Sequence, residues 1–156
     1  MNVERFRELI GPVAAVAEGQ PLTPALADEL ERRFPPDGEP FRAIEAACQQ
    51  AIAAGWMCAQ GGDGRRFGRV IEPGPQTANF SVDVVDLTDI VGPHHRHPTG
   101  EICMVMPQTP TARFDGKGAG WKVYPPDSAH RPTVTAGRAL VLYMLPAGKI
   151  EFTAAG

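Results

Sequence analysis

From residue 56 onward, the sequence alternates short apolar runs with turn-forming residues, and this pattern constrains the fold more than any other feature. The chain has 17 glycines and 16 prolines in 156 residues, and most of them lie after residue 60. The apolar runs between them have the length of strands and end at turn residues. They are WMCAQ, RRFGRVIE, NFSVDVVDLTDI, EICMVMP, TARFD, WKVYP, RALVLYMLP and KIEFTA. Short strands separated by tight turns favour a sandwich or a small barrel over a doubly wound sheet.

The longest of these runs, NFSVDVVDLTDI, alternates apolar and polar residues with a period of two. Phe80, Val82 and Val84 fall on one face, and Ser81 and Asp83 fall on the other. This alternation predicts a half-buried antiparallel strand.

The first 55 residues have the apolar spacing of helices instead. Residues 3–17 predict a helix that the glycine and proline at 11–12 break or kink. A threonine followed by proline at 23–24 predicts the start of a second helix, which the Pro-Pro pair at 35–36 ends. A third helix is predicted from Pro40 to Ala54, closed by the following glycine.

The change of pattern near residue 55 divides the chain into two segments. Residues 1–55 are predicted to form a helical extension and residues 56–156 a β-barrel. Because no flexible linker separates them, we expect a single structural unit with the helices packed on the barrel.

The overall composition excludes some classes of partner. The net charge is −3, with 43% hydrophobic and 21% charged residues. A weakly acidic chain argues against a nucleic-acid partner, since phosphate binding needs a basic surface. No apolar run reaches the length of a membrane span, and the N-terminus lacks a signal-peptide core. We therefore expect a cytoplasmic protein with no membrane or nucleic-acid partner.

The stretch GPHHRHPTGE at 92–101 contains the residues with the clearest chemistry. Residues i and i+2 of a strand share a face, so His95 and His97 can bind one ion. After a Pro-Thr-Gly turn, Glu101 opens the next strand with the same parity, and His130 lies where it can pair back across a barrel. Three imidazoles and a carboxylate suit a divalent metal; we favour Fe²⁺ or Mn²⁺, and Zn²⁺ and Ni²⁺ are also compatible.

A different interpretation of the same stretch is a solvated polar turn in which Glu101 pairs with Arg96. The metal interpretation is favoured because all four histidines of the chain lie within 94–130, three of them at the predicted ligand positions. His94 has the opposite parity from His95 and is predicted to lie outside the metal site, as a surface residue or a neighbour of the ligands.

The spacing of these residues resembles the two motifs of the cupin superfamily, HxH(x)3–4E and PxGxxH. The chain has HRHPTGE at 95–101 and PPDSAH at 125–130. The resemblance implies a jelly-roll barrel over roughly residues 75–155. Asp127 and Gln108 replace motif glycines, and Val134 replaces an asparagine that often follows the last histidine. None of these departures removes a ligand, so they bear on turn geometry.

The longer stretch from HPTGEICMVMP to GKIEFT, with the helical N-terminal third, resembles the small bacterial 4-hydroxylaminobenzoate lyases. That resemblance implies conversion of 4-hydroxylaminobenzoate and water to 3,4-dihydroxybenzoate (protocatechuate) and ammonia. The reaction needs no external electron carrier, in agreement with the absence of a GxGxxG sequence. A divalent metal would act as a Lewis acid in it, and Glu101 is a candidate for catalysis as well as for metal binding.

A small aromatic carboxylate as substrate would need a cation and flat apolar surfaces. Arg66, Arg69 and Arg113 are candidates for the carboxylate clamp, with a solvent-facing arginine as the alternative for each. Candidates for stacking on the ring, or else for the core, are Phe80, Trp121, Tyr124 and Tyr143. The phenols of the two tyrosines are also candidates for proton transfer.

Two further functions are compatible with the same sequence motifs. One is a metal-dependent dioxygenase acting on a small aromatic, and the other is a non-enzymatic cupin that senses a small ligand. We also expect a homodimer or a higher homo-oligomer, with the helical segment as the dimerisation device.

Overall fold

Residues 1–153, which are the residues that the computed structural model describes, form three α-helices followed by ten strands, with a short 3-10 helix at Pro75–Thr77 among the strands. The helices are α1 (Val3–Ala17), α2 (Pro24–Arg33) and α3 (Glu39–Ala53). The strands are β1 (Gln60–Gly62), β2 (Arg65–Ile71), β3 (Phe80–Val91), β4 (His95–His97), β5 (Glu101–Pro107), β6 (Arg113–Phe114), β7 (Gly120–Tyr124), β8 (Ser128–His130), β9 (Thr133–Pro146) and β10 (Glu151–Phe152). The mainly β fold with an N-terminal helical segment is therefore confirmed. Residues 154–156, which end the predicted barrel, lie outside the described residues.

Within this range the strands form two antiparallel sheets. The larger sheet has the order β1-β2-β3-β9-β5-β7, with β6 also paired to β9, and the smaller sheet has the order β10-β4-β8. The pairing of β3 with β9 shifts register between Thr88 and Ile90, and such a bulge bends a strand. Side chains of the two sheets meet inside, so the arrangement agrees with the cupin-type barrel predicted from the sequence.

Alternate residues of the central strands belong to two separate cores. Even-numbered residues of β3, β5 and β9, such as Val82 and Leu142, pack in one cluster with the helices. Odd-numbered residues, such as Val85 and Val141, line the barrel interior. The prediction that β3 is half-buried is wrong: even Ser81, on the polar face, is fully buried. The helices cover the outer face of the sheet, and the inner face points into the barrel.

Helix α1 is continuous through Pro12, so the predicted break at residues 11–12 is wrong. A proline removes one N–H donor and crowds the preceding turn. Ile10, Val13 and Ala17, on either side of it, are buried against the rest of the core. Tertiary packing of this face holds the helix together across the proline.

The run WMCAQ is not a strand, contrary to prediction; pairing begins only at Gln60. Cys58 has a φ of 55°, in the left-handed region, and this ends any extended conformation there. Its thiol donates to the carbonyl oxygen of Val84 at 3.4 Å, so the segment packs as a turn on the sheet.

Candidate metal centre

Side chains from β4, β5 and β8 converge inside the barrel. His95 and His97 lie on β4, Glu101 is the first residue of β5, and His130 is the last residue of β8. Their ligand atoms all lie within 4.8 Å of one another. Strand pairing places His95 directly opposite His130. The turn before Glu101 is closed by the Gly100 N–H donating to the His97 carbonyl at 3.2 Å.

The cluster is withdrawn from solvent, unlike a polar turn. The two histidines of β4 and the glutamate are each at most 2% exposed. Arg96, which alternates with the histidines on β4, points outward and pairs with Asp127 and Glu151. The alternative pairing of Arg96 with Glu101 is therefore absent from the described structure.

The spacing of the nitrogen atoms fits a bound cation. His130 Nε2 lies 3.1 Å from His95 Nε2 and 3.0 Å from His97 Nε2. These are hydrogen-bond distances between the rings, and they are also close enough for the three side chains to share one ion with bonds of about 2.1 Å. The buried Glu101 Oε2 lies 3.2 Å from His97 Nε2 but accepts no hydrogen bond within the described chain. A buried carboxylate oxygen without a donor is costly, so the donor set fits a divalent ion.

The electrostatics of the three imidazoles differ. Burial, and then the neighbouring imidazoles, lower the pKa of both His95 and His97 to about 4. Burial also opposes a charge on His130, but the carboxylates of Asp115 and Glu101 outweigh it and raise the pKa of His130 to about 9. The neutral imidazoles of His95 and His97 thus face His130, which readily carries a positive charge. The three rings surround the position that a bound cation would occupy.

Asp115 orients His130 and was missed in the sequence. Its Oδ2 accepts from His130 Nδ1 at 2.7 Å and from the Tyr124 hydroxyl, and its Oδ1 accepts from the Thr133 N–H at 2.8 Å. Because Nδ1 holds its proton on Asp115, Nε2 is the nitrogen that faces the cluster, and it would give up its own proton when an ion binds. Burial disfavours the Asp115 carboxylate, but these hydrogen bonds outweigh it and lower the pKa of Asp115.

Other polar groups around the cluster stay protonated. Burial is the largest cause that raises the pKa of Tyr124, Tyr143 and Cys103. The Cys103 thiol donates to Glu101 Oε1 at 2.9 Å. The ring of Tyr124 stacks beside His97, with 6.3 Å between centroids. Both phenols therefore stay neutral beside the site, and that of Tyr124 donates to Asp115.

A cavity of about 290 Å³ adjoins the cluster at His95. Pockets of roughly 300–1,000 Å³ hold small molecules, so this one suits a ligand with a single ring. Most of its lining is apolar, with Tyr143 and the pair Arg69–Asp83 among the polar groups. The lining residues are Gln60, Arg65, Phe67, Gly68, Arg69, Asp83, Val85, Leu87, Gly92, Pro93, His95, Pro132, Tyr143, Ile150 and Phe152.

The arginines predicted for the substrate lie in different places. Arg69 lines the cavity, and its Nε donates to Asp83 Oδ1 at 2.8 Å. Arg66 points to a separate groove, and Arg113 is exposed beside a third. The structure therefore does not bring Arg66 or Arg113 to the cluster. Arg65 lines the cavity and was missed, although parity is a signal for it: residues 65, 67 and 69 share a face of β2.

The predicted stacking residues Trp121 and Phe80 do not reach the cavity. Both belong to the core between the sheet and the helices. Trp121 Nε1 donates to the Phe34 carbonyl at 2.9 Å, which fixes the indole on the helical side. Phe67 and Phe152 line the cavity in their place, and the Phe152 ring lies 5.6 Å from the His95 ring.

His94 and Asp127 lie near the histidines of the cluster along the chain. His94 points away from the cluster, and its Nδ1 contacts the Thr153 hydroxyl. Asp127, which replaces a motif glycine, has a φ of 67°. Aspartate tolerates this left-handed conformation better than most residues, so the turn before His130 forms without glycine.

These features define a β-barrel protein with a buried three-histidine, one-glutamate cluster beside a small cavity. The sequence profile of the family described as PnbB, 4-hydroxylaminobenzoate lyase, matches residues 8–152. The chain belongs to this family, which makes it an enzyme of the lyase type. A 4-hydroxylaminobenzoate lyase of Pseudomonas putida is 31% identical over 140 residues, covering 79% of this chain and 80% of the relative. One from Nocardioides sp. (strain LMS-CY) is 30% identical over 132 residues, with 79% and 78% covered.

Among solved structures, an RmlC-like cupin protein from Ralstonia eutropha superposes with a TM-score of 0.45 at 9% sequence identity. The match covers 60% of this chain and 62% of that protein. Within residues 1–153, none of the helices has both the length and the apolar character needed to cross a membrane. The predicted compartment and homo-oligomer stay predictions.

Proposed function

We propose that this protein converts 4-hydroxylaminobenzoate and water to 3,4-dihydroxybenzoate and ammonia. The atoms and electrons balance, because the N–O bond that breaks is the oxidant for the ring carbon that gains oxygen. The observation that carries the proposal is the buried cluster of His95, His97, Glu101 and His130 beside a cavity sized for one ring. Membership of the lyase family supports it.

In this proposal the same four side chains hold a divalent metal ion. Three imidazole nitrogens and one carboxylate would suit Fe²⁺ or Mn²⁺, the ions we favour, and Zn²⁺ and Ni²⁺ are also compatible. When bound, the ion supplies Lewis-acid chemistry at the hydroxylamino oxygen and at water. Glu101 is held by the Cys103 thiol on one oxygen, which leaves the other oxygen directed at the cluster.

The remaining residues of the cavity position the substrate and control its protons. Val85, Leu87 and Phe67 form apolar walls that exclude water from the ring. Tyr143 lies on β9 and lines the cavity, and burial raises its pKa, so its neutral phenol is available to donate a hydrogen bond to a bound ligand. Tyr124 is committed to Asp115 and acts through the orientation of His130.

Product analysis tests this function. The purified protein, with its metal content measured, is incubated with 4-hydroxylaminobenzoate while ammonia, 3,4-dihydroxybenzoate and dissolved oxygen are followed. We expect one ammonia per 3,4-dihydroxybenzoate and no oxygen uptake. Product formed with stoichiometric oxygen uptake would support the dioxygenase alternative instead. Tight binding without turnover would support the sensor alternative.

A further inference from the structure

One wall of the cavity carries two arginines with unequal surroundings. On β2, Arg65, Phe67 and Arg69 share the face that lines the cavity. Strand pairing sets Arg65 opposite Leu87 on β3, and Arg69 opposite Asp83. The wall is thus polar at both ends and apolar in the middle.

The charge of Arg69 is already compensated. Its Nε donates to Asp83 Oδ1 at 2.8 Å, and a terminal nitrogen donates to the Gly148 carbonyl at 3.1 Å. Another terminal nitrogen lies 3.6 Å from Glu72 Oε2. With its donors used in this way, Arg69 serves to hold the wall together and to neutralise Asp83.

Arg65 differs because no carboxylate within residues 1–153 lies at ion-pair distance from it. Its guanidinium lies over the Phe67 ring, with Cζ 4.3 Å from the centroid. This stacking orients the planar group and leaves its N–H edge available for a second planar ligand. The side chain is half-buried, so a carboxylate bound there is partly shielded from water.

We propose that Arg65, oriented by Phe67, binds the carboxylate of an aromatic acid whose ring fills the cavity and whose opposite substituent faces His95. The guanidinium edge pairs with both carboxylate oxygens, a geometry in which arginine and a carboxylate match. Arg65 is thereby a residue that determines specificity for benzoates over neutral rings. The identity of the opposite substituent rests on the proposed function.

The test compares two ligands of nearly equal shape, 4-hydroxybenzoate and its neutral amide, 4-hydroxybenzamide. Dissociation constants are measured by calorimetry on the metal-loaded protein and on its Arg65→Gln and Arg65→Lys variants. Arg66→Gln is the matched control, since it removes the same charge from the next residue, which points to another groove.

We expect Arg65→Gln to weaken the binding of 4-hydroxybenzoate about 10- to 100-fold, as for loss of a hydrogen-bonded charge. The dissociation constant of 4-hydroxybenzamide should change by less than about twofold. Arg65→Lys should restore part of the loss, because it keeps the charge without the bidentate edge. The proposal is overturned if Arg65→Gln weakens the binding of both ligands equally, or if Arg66→Gln weakens 4-hydroxybenzoate binding as much as Arg65→Gln does. It is also overturned if the unaltered protein binds 4-hydroxybenzoate no more tightly than 4-hydroxybenzamide. Since binding is measured without turnover, a protein that passes this test but releases no ammonia overturns the proposed function alone.

Discussion

Replacing Asp115 with asparagine tests how the protein prepares His130 for an ion. The carboxylate accepts hydrogen bonds from His130 Nδ1, the Tyr124 hydroxyl and the Thr133 N–H. In Asp115→Asn one acceptor oxygen remains, and the amide presents hydrogens toward groups that are themselves donors. The His130 imidazole can then shift to the tautomer that carries its proton on Nε2. In that tautomer the Nε2 lone pair is no longer available to a metal ion.

The size of the effect follows from the burial of the pair. The side chains of Asp115 and His130 are 14% and 13% exposed, so water screens their interaction little. A hydrogen bond to a charged group is worth about 1.5–3 kcal/mol, and each 1.4 kcal/mol is about a factor of ten in affinity. We therefore expect Asp115→Asn to weaken Mn²⁺ binding about 10- to 100-fold, within the range known for residues that orient a ligand.

Titration calorimetry with Mn²⁺ measures this loss, and thermal unfolding shows that the variant is folded. Asp127→Asn is the matched control, because this aspartate has a 77% exposed side chain and pairs with Arg96 outside the cluster. It should change the affinity less than about twofold. Equal affinities for the two variants would refute the role assigned to Asp115.

Further predictions concern protons and the core. Because the pKa of His130 is about 9 while those of His95 and His97 are about 4, ion binding between pH 5 and 8 should release about one proton per ion, and affinity should rise about tenfold per pH unit. Calorimetry in buffers of different ionisation enthalpy measures this, and an affinity independent of pH would contradict it. Trp121→Ala should lower the free energy of unfolding by about 3–5 kcal/mol and leave the Mn²⁺ affinity unchanged. Denaturant titration measures the loss of stability. A variant of normal stability that no longer binds the metal would contradict the place of Trp121 in the core.

Local patterns in the sequence were enough to predict which residues of β4 and β5 come together at the cluster. The period of two on β4 puts His95 and His97 on one face, and the Pro-Thr-Gly turn returns Glu101 to the same side. These relations span a few residues and need only strand geometry. The convergence of these residues with His130 in the structure agrees with the prediction, while their role as ligands stays a proposal.

The surroundings of the ligands could not be predicted because they depend on pairing between distant strands. Asp115 reaches His130 because β6 pairs with β9, and its N–H donates to the Thr133 carbonyl at 2.8 Å. Trp121 looked suited to ring stacking, but the helices cover the face of β7 on which it lies. Which face of a buried strand points into the barrel depends on what packs outside it, and single-residue patterns do not carry that information.

In the proposed function, the histidine–glutamate cluster holds an ion that ammonia release requires. The most direct measurement is the rate of ammonia release from 4-hydroxylaminobenzoate by protein stripped of metal and reloaded stepwise with Mn²⁺ or, without oxygen, Fe²⁺. We expect a rate proportional to bound ion up to one per chain, and near-zero release by His97→Ala at the same ion concentration. Full release by the metal-stripped protein, or by His97→Ala, would contradict it.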